Sequence, residues 1–247
     1  MRTFSGTRPC PAFTLLDTLV AVTVAGSLAV LFVPVLKQNR EKGQRAVCRA
    51  NLRRLSIASQ SYAADHHGYL FPQKRNDGDW MCFNISGDIF AIMARLAGDK
   101  AVDCPNLYPF TMPGLVYEPG SRVAPDSGRI IGYNYCGGIL EKGMPGKFGW
   151  VSPTKTSDDG SLVLFADLNG SGYNNGYWAV ASHTSTGASR IQGESFLRLH
   201  MPVTARHLGA QGGNVCLLDG SIRWKPVREM RDDYWIYQGD FGDRGMW

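Results

Sequence analysis

Between Asp17 and Lys37 this 247-residue chain has no charged side chain, and a run of that length suits a bilayer span. Other features are missing too. There is no internal repeat, which excludes solenoid and propeller arrays. No serine or cysteine stands in a recognisable nucleophile frame, and no segment matches an EF-hand loop or another recognisable metal-ligand spacing. Basic excess is absent beyond residue 65: residues 66–247 hold seventeen Lys and Arg against eighteen Asp and Glu. The net charge of +5 therefore resides in residues 1–65, which hold nine against three, so the basic balance is no sign of nucleic-acid binding by the larger part. With 44% hydrophobic and 11% aromatic residues the chain is not disordered. Its length suits one membrane segment and one folded domain of about 180 residues, enough to bury a core.

Asp17 lies near the start of the apolar run, where a membrane helix is expected to be free of charge. An acid in a span costs about 2–3 kcal/mol on insertion scales and is a functional candidate by default. At this shallow depth it could also reach the headgroups and be merely tolerated. The surrounding block is Arg-Pro-Cys-Pro-Ala-Phe-Thr-Leu-Leu-Asp-Thr-Leu-Val-Ala-Val, residues 8–22. It resembles the class III signal of type IV prepilins and type II secretion pseudopilins. In that family a short basic leader ends in a small residue, usually Gly, and is cut before a Phe, and the fifth residue of the mature chain is usually Glu. The matching positions here are Ala12, Phe13 and Asp17, with Ala in place of Gly and Asp one methylene shorter than Glu. Pro34 falls where many pilins carry a helix-bending proline, which would remove one backbone donor.

Charge and cysteine bear on topology. Only Arg2 and Arg8 precede the run, whereas Lys37, Arg40, Lys42, Arg45, Arg49, Arg53 and Arg54 follow it. The positive-inside rule alone would put the C-terminal side in the cytoplasm; the resemblance puts it outside. Cys10 would leave with the leader, and the other five form an odd number. Four of them, assigned as Cys82, Cys104, Cys136 and Cys216, suffice for two bridges in an oxidising compartment, with free buried thiols as the competing reading. An ordinary signal peptide cut near Ala25 or Ser27 is the alternative for the N-terminus, although the run is longer than the usual signal core and continues without a turn signal.

The expected fold is α+β and pilin-like. It comprises a leader at 1–12, a membrane or filament-core helix at 13–36, an amphipathic continuation at 37–65 and a loop-rich antiparallel β head at 66–247. Cys48, Leu52, Leu55, Ala58 or Ser59, and Tyr62 form one apolar stripe, and Arg45, Arg49 and Arg53 a basic line for solvent, lipid headgroups or a neighbouring subunit. Gly68 should stop the helix, with Pro72 beyond. Further expectations are a short helix at 90–96 and strands at 114–117, 129–135, 161–166, 177–181, 214–218 and 221–225. The last two flank Asp219-Gly220, the strongest hairpin signal. Stretches 143–160, 168–176 and 182–195 read as surface loops.

The segment 48–72 also resembles the region after the anchor in a group of prepilin-like proteins from planctomycete and lentisphaera-type bacteria. Later motifs of that group are matched by Cys104-Pro105, by Gly132-Tyr133-Asn134-Tyr135 and by Leu164-Phe165-Ala166-Asp167. Its closing signature, His, nine residues, then Asp-Gly, is met by His207, Asp219 and Gly220 with eleven residues between. That resemblance implies a prepilin-type protein cut after Ala12, methylated at Phe13 and held in the inner membrane with its head outside. Its partners would be a prepilin peptidase and other pilin or pseudopilin subunits, with Asp17 pairing with a neighbour's freed amino group. No nucleic-acid partner, cofactor or catalysis is expected.

Weaker candidates come from the residues alone. His207 and Asp219 would suit a base and its orienting acid, against a structural His207 bonded to its loop or to Asp219. A metal at Asp65, His66 and His67 is disfavoured because adjacent residues rarely converge on one ion. Asp77 and Asp79, or Asp167 and Asn169, offer oxygen ligands for Ca²⁺. Tyr173, Tyr177 and Trp178 could stack on a glycan or belong to a core. The alternatives to a filament subunit are an anchored envelope protein whose head binds polysaccharide or protein and, further off, an anchored hydrolase.

Overall fold

A computed structural model describes residues 14–73, 81–107, 128–139, 149–173, 177–192, 203–236 and 243–247. Helix α1, Leu15–Asp65, is 51 residues and about 75 Å long. It begins at Thr14, whose Oγ1 accepts from the Asp17 amide at 3.2 Å while Asp17 Oδ2 accepts from the Thr14 amide at 2.9 Å and hydroxyl at 2.7 Å. This is a reciprocal capping box. Thr23 and Ser27 donate their hydroxyls to Leu19 and Thr23 carbonyls, so these polar groups are satisfied inside the apolar half. The helix passes Pro34 and Gly43 without interruption. As the sequence predicts, Gly68 stops it: with φ +83° its amide donates to the Ala63 carbonyl at 2.8 Å.

The two halves of α1 differ in what covers them. Leu15, Leu19, Val22, Val30 and Leu36 are all exposed, Leu15 by 88%. From Cys48 onward the expected stripe is buried, with Leu52, Leu55 and Ser59 at 0% exposure and Tyr62 packed at the edge. That face packs on a four-stranded antiparallel sheet ordered β3-β4-β8-β9, formed by Tyr133–Tyr135, Val163–Asp167, Gly212–Leu217 and Ile222–Pro226. Phe71, Phe83, Tyr133, Tyr135 and Phe165 fill the core. Each fully buried aromatic or aliphatic side chain contributes about 1.5–3 kcal/mol, so this contact holds half of α1 to the head.

A second antiparallel sheet is ordered β10-β11-β5-β6-β7, with β5 Asn169–Tyr173, β6 Tyr177–Thr184, β7 Gly187–Gln192, β10 Tyr234–Trp235 and β11 Arg244–Gly245. The chain crosses from the first sheet to the second at Leu168, between the end of β4 and the start of β5. A small pair, β1 Asn84–Ile85 with β2 Arg129–Ile130, completes the sheets among the described residues. Helix α2, Gly87–Ala97, is capped by the Ser86 side chain and stopped at Gly98, extending the expected 90–96 helix.

Several expectations are corrected. The stretch 129–135 is two strands in different sheets, broken where Gly132 lies so close to Cys104 that a Cβ would sit 2.1 Å from its amide nitrogen. Stretches 168–176 and 182–195 are not loops where they are described: they hold β5, the end of β6 and β7. The glycines of β5 reflect close approach, since a Cβ on Gly172 would meet Asp243 and one on Gly170 the Trp178 ring. The hairpin at Asp219-Gly220 forms, with Gly220 at φ +81°. The expected strand 114–117 lies outside the described residues, as do the leader and Phe13.

Candidate functional site

The exposed apolar half of α1 is the first feature that invites a partner. Asp17 stands at its start, and its two accepted hydrogen bonds both fall on Oδ2, leaving Oδ1 available to another donor. A Thr-x-x-Asp pattern announces this cap in the sequence, yet composition alone reads the acid only as an anomaly. Ala12 lies outside the described residues with Phe13, and nothing is described of the Pro34 side chain. Among the described residues no helix is long and apolar enough to cross a membrane. The run 18–36 includes positions 29, 31 and 34, whose side chains are not among them, so the span reading belongs to the sequence.

The second feature was not anticipated. Where α1 meets the head, His183 near the end of β6 is fully buried between two carboxylates. Its Nδ1 lies 2.7 Å from Glu41 Oε1 and its Nε2 lies 3.1 Å from Asp167 Oδ2, the latter a charge contact without an aligned hydrogen bond. Arg45, one helical turn after Glu41, donates to the same Oε1 at 3.0 Å. The Asn106 amide donates to Glu41 Oε2 at 2.8 Å and to the Ser182 carbonyl at 3.0 Å. Asp167 Oδ2 accepts from the Asn214 backbone at 2.6 Å and side chain at 2.9 Å, while Oδ1 has no hydrogen-bond partner among the described residues. Trp224 closes the site, its ring edge-on to His183 and under the Arg45 guanidinium at 4.1 Å.

Two cations and two anions balance here. Burial works against a charged imidazole, but the Asp167 charge and the Glu41 hydrogen bond outweigh it and push the His183 pKa up to about 10. Burial likewise works against a charged Glu41, and the donors His183, Asn106 and Arg45 hold its pKa below the ordinary value. The cluster is therefore an ionised pin that joins the helix to both sheets. A cleft of about 270 Å³ lined by Lys37, Arg40, Gln44, Pro105 and Thr186 opens onto Glu41 and Asn106, so solvent reaches one edge.

Other sequence candidates are kept apart or put to structural use. His207 precedes β8 and Asp219 follows it, so six strand residues, about 20 Å, separate them. His207 Nδ1 accepts from the Thr204 amide at 3.1 Å, and Asp219 Oδ1 accepts from the Ser221 amide at 2.8 Å in the hairpin turn. These bonds are local, and the pairing of His207 with Asp219 is corrected. His66 bonds the Tyr62 carbonyl and stacks on its ring. Asn169 Oδ1 accepts from the Ser182 amide and Asp167 Oδ2 from Asn214 beside His183, so both oxygens are put to structural use; Asp77 and Asp79 lie outside the described residues. Trp178 is a core residue, edge-on to Phe83 and bonded to Asp243, not an exposed glycan platform; the Tyr173 and Tyr177 side chains are not described. Of the basic line, Arg45 has its partners within the chain, Gln211 included.

All five described cysteines are buried and unbonded. Cys48, absent from the expected bridging set, touches Cys104 with sulfurs 3.3 Å apart, and Cys82 contacts Cys136. Cys216 turns instead to the Leu217 carbonyl, so the four that lie in adjacent pairs are Cys48, Cys82, Cys104 and Cys136, with Cys48 where the sequence reading had Cys216. Cys48, Cys104 and His183 also bring their ligand atoms within 4.8 Å of one another.

Compared with protein-family models, curated proteins and solved structures, the chain matches none.

Proposed function

We propose that this chain is a pilin- or pseudopilin-like subunit. A prepilin peptidase would cut it after Ala12 and methylate Phe13. It would then wait in the inner membrane by 18–36 with its head outside, and be drawn into a filament or pseudopilus beside like subunits. One observation carries the reading: a single helix joins an apolar half exposed at every described position to a half sunk in an antiparallel β head. Exposed Leu, Val and Phe over that length need a cover, and lipid followed by neighbouring helices supplies it in turn. No step requires catalysis or nucleic acid.

Asp17 has two roles in this scheme, which one pair of substitutions separates. Asp17→Ala removes both the cap and the charge; Asp17→Asn keeps an acceptor for Thr14 but removes the charge that would meet a neighbour's amino group. Both variants should be processed normally and both should fail to enter filaments, as read by microscopy and by shearing filaments from cells. Normal incorporation of Asp17→Asn would eliminate the charge pairing and leave Asp17 as a cap.

A further inference from the structure

We propose that Cys48 and Cys104 close as a disulfide that fastens the lower half of α1 to the head. The proposal rests on the reading that the head is exported, where dithiols are oxidised.

The pair is already placed. Cys48 lies on the buried stripe of α1 and Cys104 just after the short 3₁₀ turn Asp99–Val102; both are fully buried, and their sulfurs are 3.3 Å apart. A disulfide needs about 2.05 Å, a closure within reach of side-chain rotation. The backbone around Cys104 is fixed from three sides. Asn51 on α1 donates to the Asp103 carbonyl at 3.1 Å, the Leu107 amide donates to the Cys104 carbonyl at 2.9 Å, and the Gly132 backbone abuts the Cys104 amide.

A metal is the rival occupant, because Cys48, Cys104 and His183 converge. Both His183 nitrogens already face carboxylates, so an ion would keep two thiolates and displace Glu41 or Asp167 to gain a third ligand. The disulfide asks for no such exchange. In its formation two S–H bonds break and one S–S bond forms. Two protons leave, and two electrons pass to the disulfide of a thiol oxidoreductase, which becomes a dithiol. Because both sulfurs are buried in the finished fold, this happens before the head closes. The bond would then bracket α2 and the 3₁₀ turn in one loop and keep α1 from being drawn out of the head when subunits are pulled into a filament.

The test uses the full chain from membranes, denatured directly into iodoacetamide so that every free thiol is capped, then digested with trypsin. The expected product is peptide 46–49 joined to peptide 101–122, separable by reduction. In C48S and C104S the joined peptide should vanish and unfolding should come at lower temperature without reductant, whereas C216S should keep the joined peptide. Cys48 and Cys104 both capped, in chains that start at Phe13, overturn the bond and leave the export reading standing. Both capped in chains that still start at Met1, with the head protected from external protease, overturn the two together. One zinc per chain in the native extract, with both thiols capped after denaturation, assigns the cluster to a metal and overturns the bond.

Discussion

His183 has no exposed surface and two carboxylates against its ring, so its charge state couples the fold to pH. Its pKa rises from 6.5 to about 10 on folding. Stability from this residue is therefore complete below pH 6.5 and is lost as pH climbs towards about 10. Glu41 has the opposite sign. Its pKa falls below 4.5 on folding, so its contribution is complete above that value and is lost as pH drops through the folded pKa. Thermal unfolding of the detergent-solubilised chain should thus show the largest contribution of this cluster between pH 4.5 and 6.5. Glu41→Ala should destabilise by about 3–5 kcal/mol, because it strands a buried cation beside Asp167. The same variant should also flatten the alkaline arm of the profile. Glu41→Ala with unchanged melting temperature and pH profile would remove the pin from consideration.

At the scale of elements, glycine reads in two opposite ways. Gly43 sits exposed inside α1 with no atom within 4 Å of a would-be Cβ, so Gly43→Ala should raise stability by about 0.5–1 kcal/mol. Gly138 has φ +76°, and a Cβ there would fall 1.8 Å from the Phe71 carbonyl oxygen, so Gly138→Ala should cost more than about 2 kcal/mol and shift the strands beside it. Melting curves of the two variants should move in opposite directions. The same contrast explains what the sequence disclosed. The α1 stripe through Cys48, Leu52 and Leu55 was legible because helical period is a local property, and so were the Gly68 stop and the Asp219-Gly220 hairpin. The strands β5 and β7 were not, since Gly170 and Gly172 look like loop residues until Trp178 and Asp243 are set against them. The His183 junction was hidden more deeply: Glu41 and His183 lie 142 positions apart, and the one local hint was a lone acid in a basic stretch.

For the whole molecule, the two readings differ in what covers the exposed half of α1. A solitary anchor would keep lipid around 18–36, whereas a filament subunit must exchange that lipid for neighbouring helices. Single cysteines introduced along 20–36 and oxidised in cells should give a ladder of crosslinked multimers in the filament reading and monomers or an occasional dimer for an anchor. In the filament reading processing is the step on which assembly depends, and it would leave a mark on every copy. The most direct measurement is the intact mass and N-terminal peptide of the mature chain. A chain that begins at Phe13 and carries one methyl group on its amino terminus is the predicted result. A chain that still begins at Met1, or one cut near Ala25 or Ser27, would contradict it.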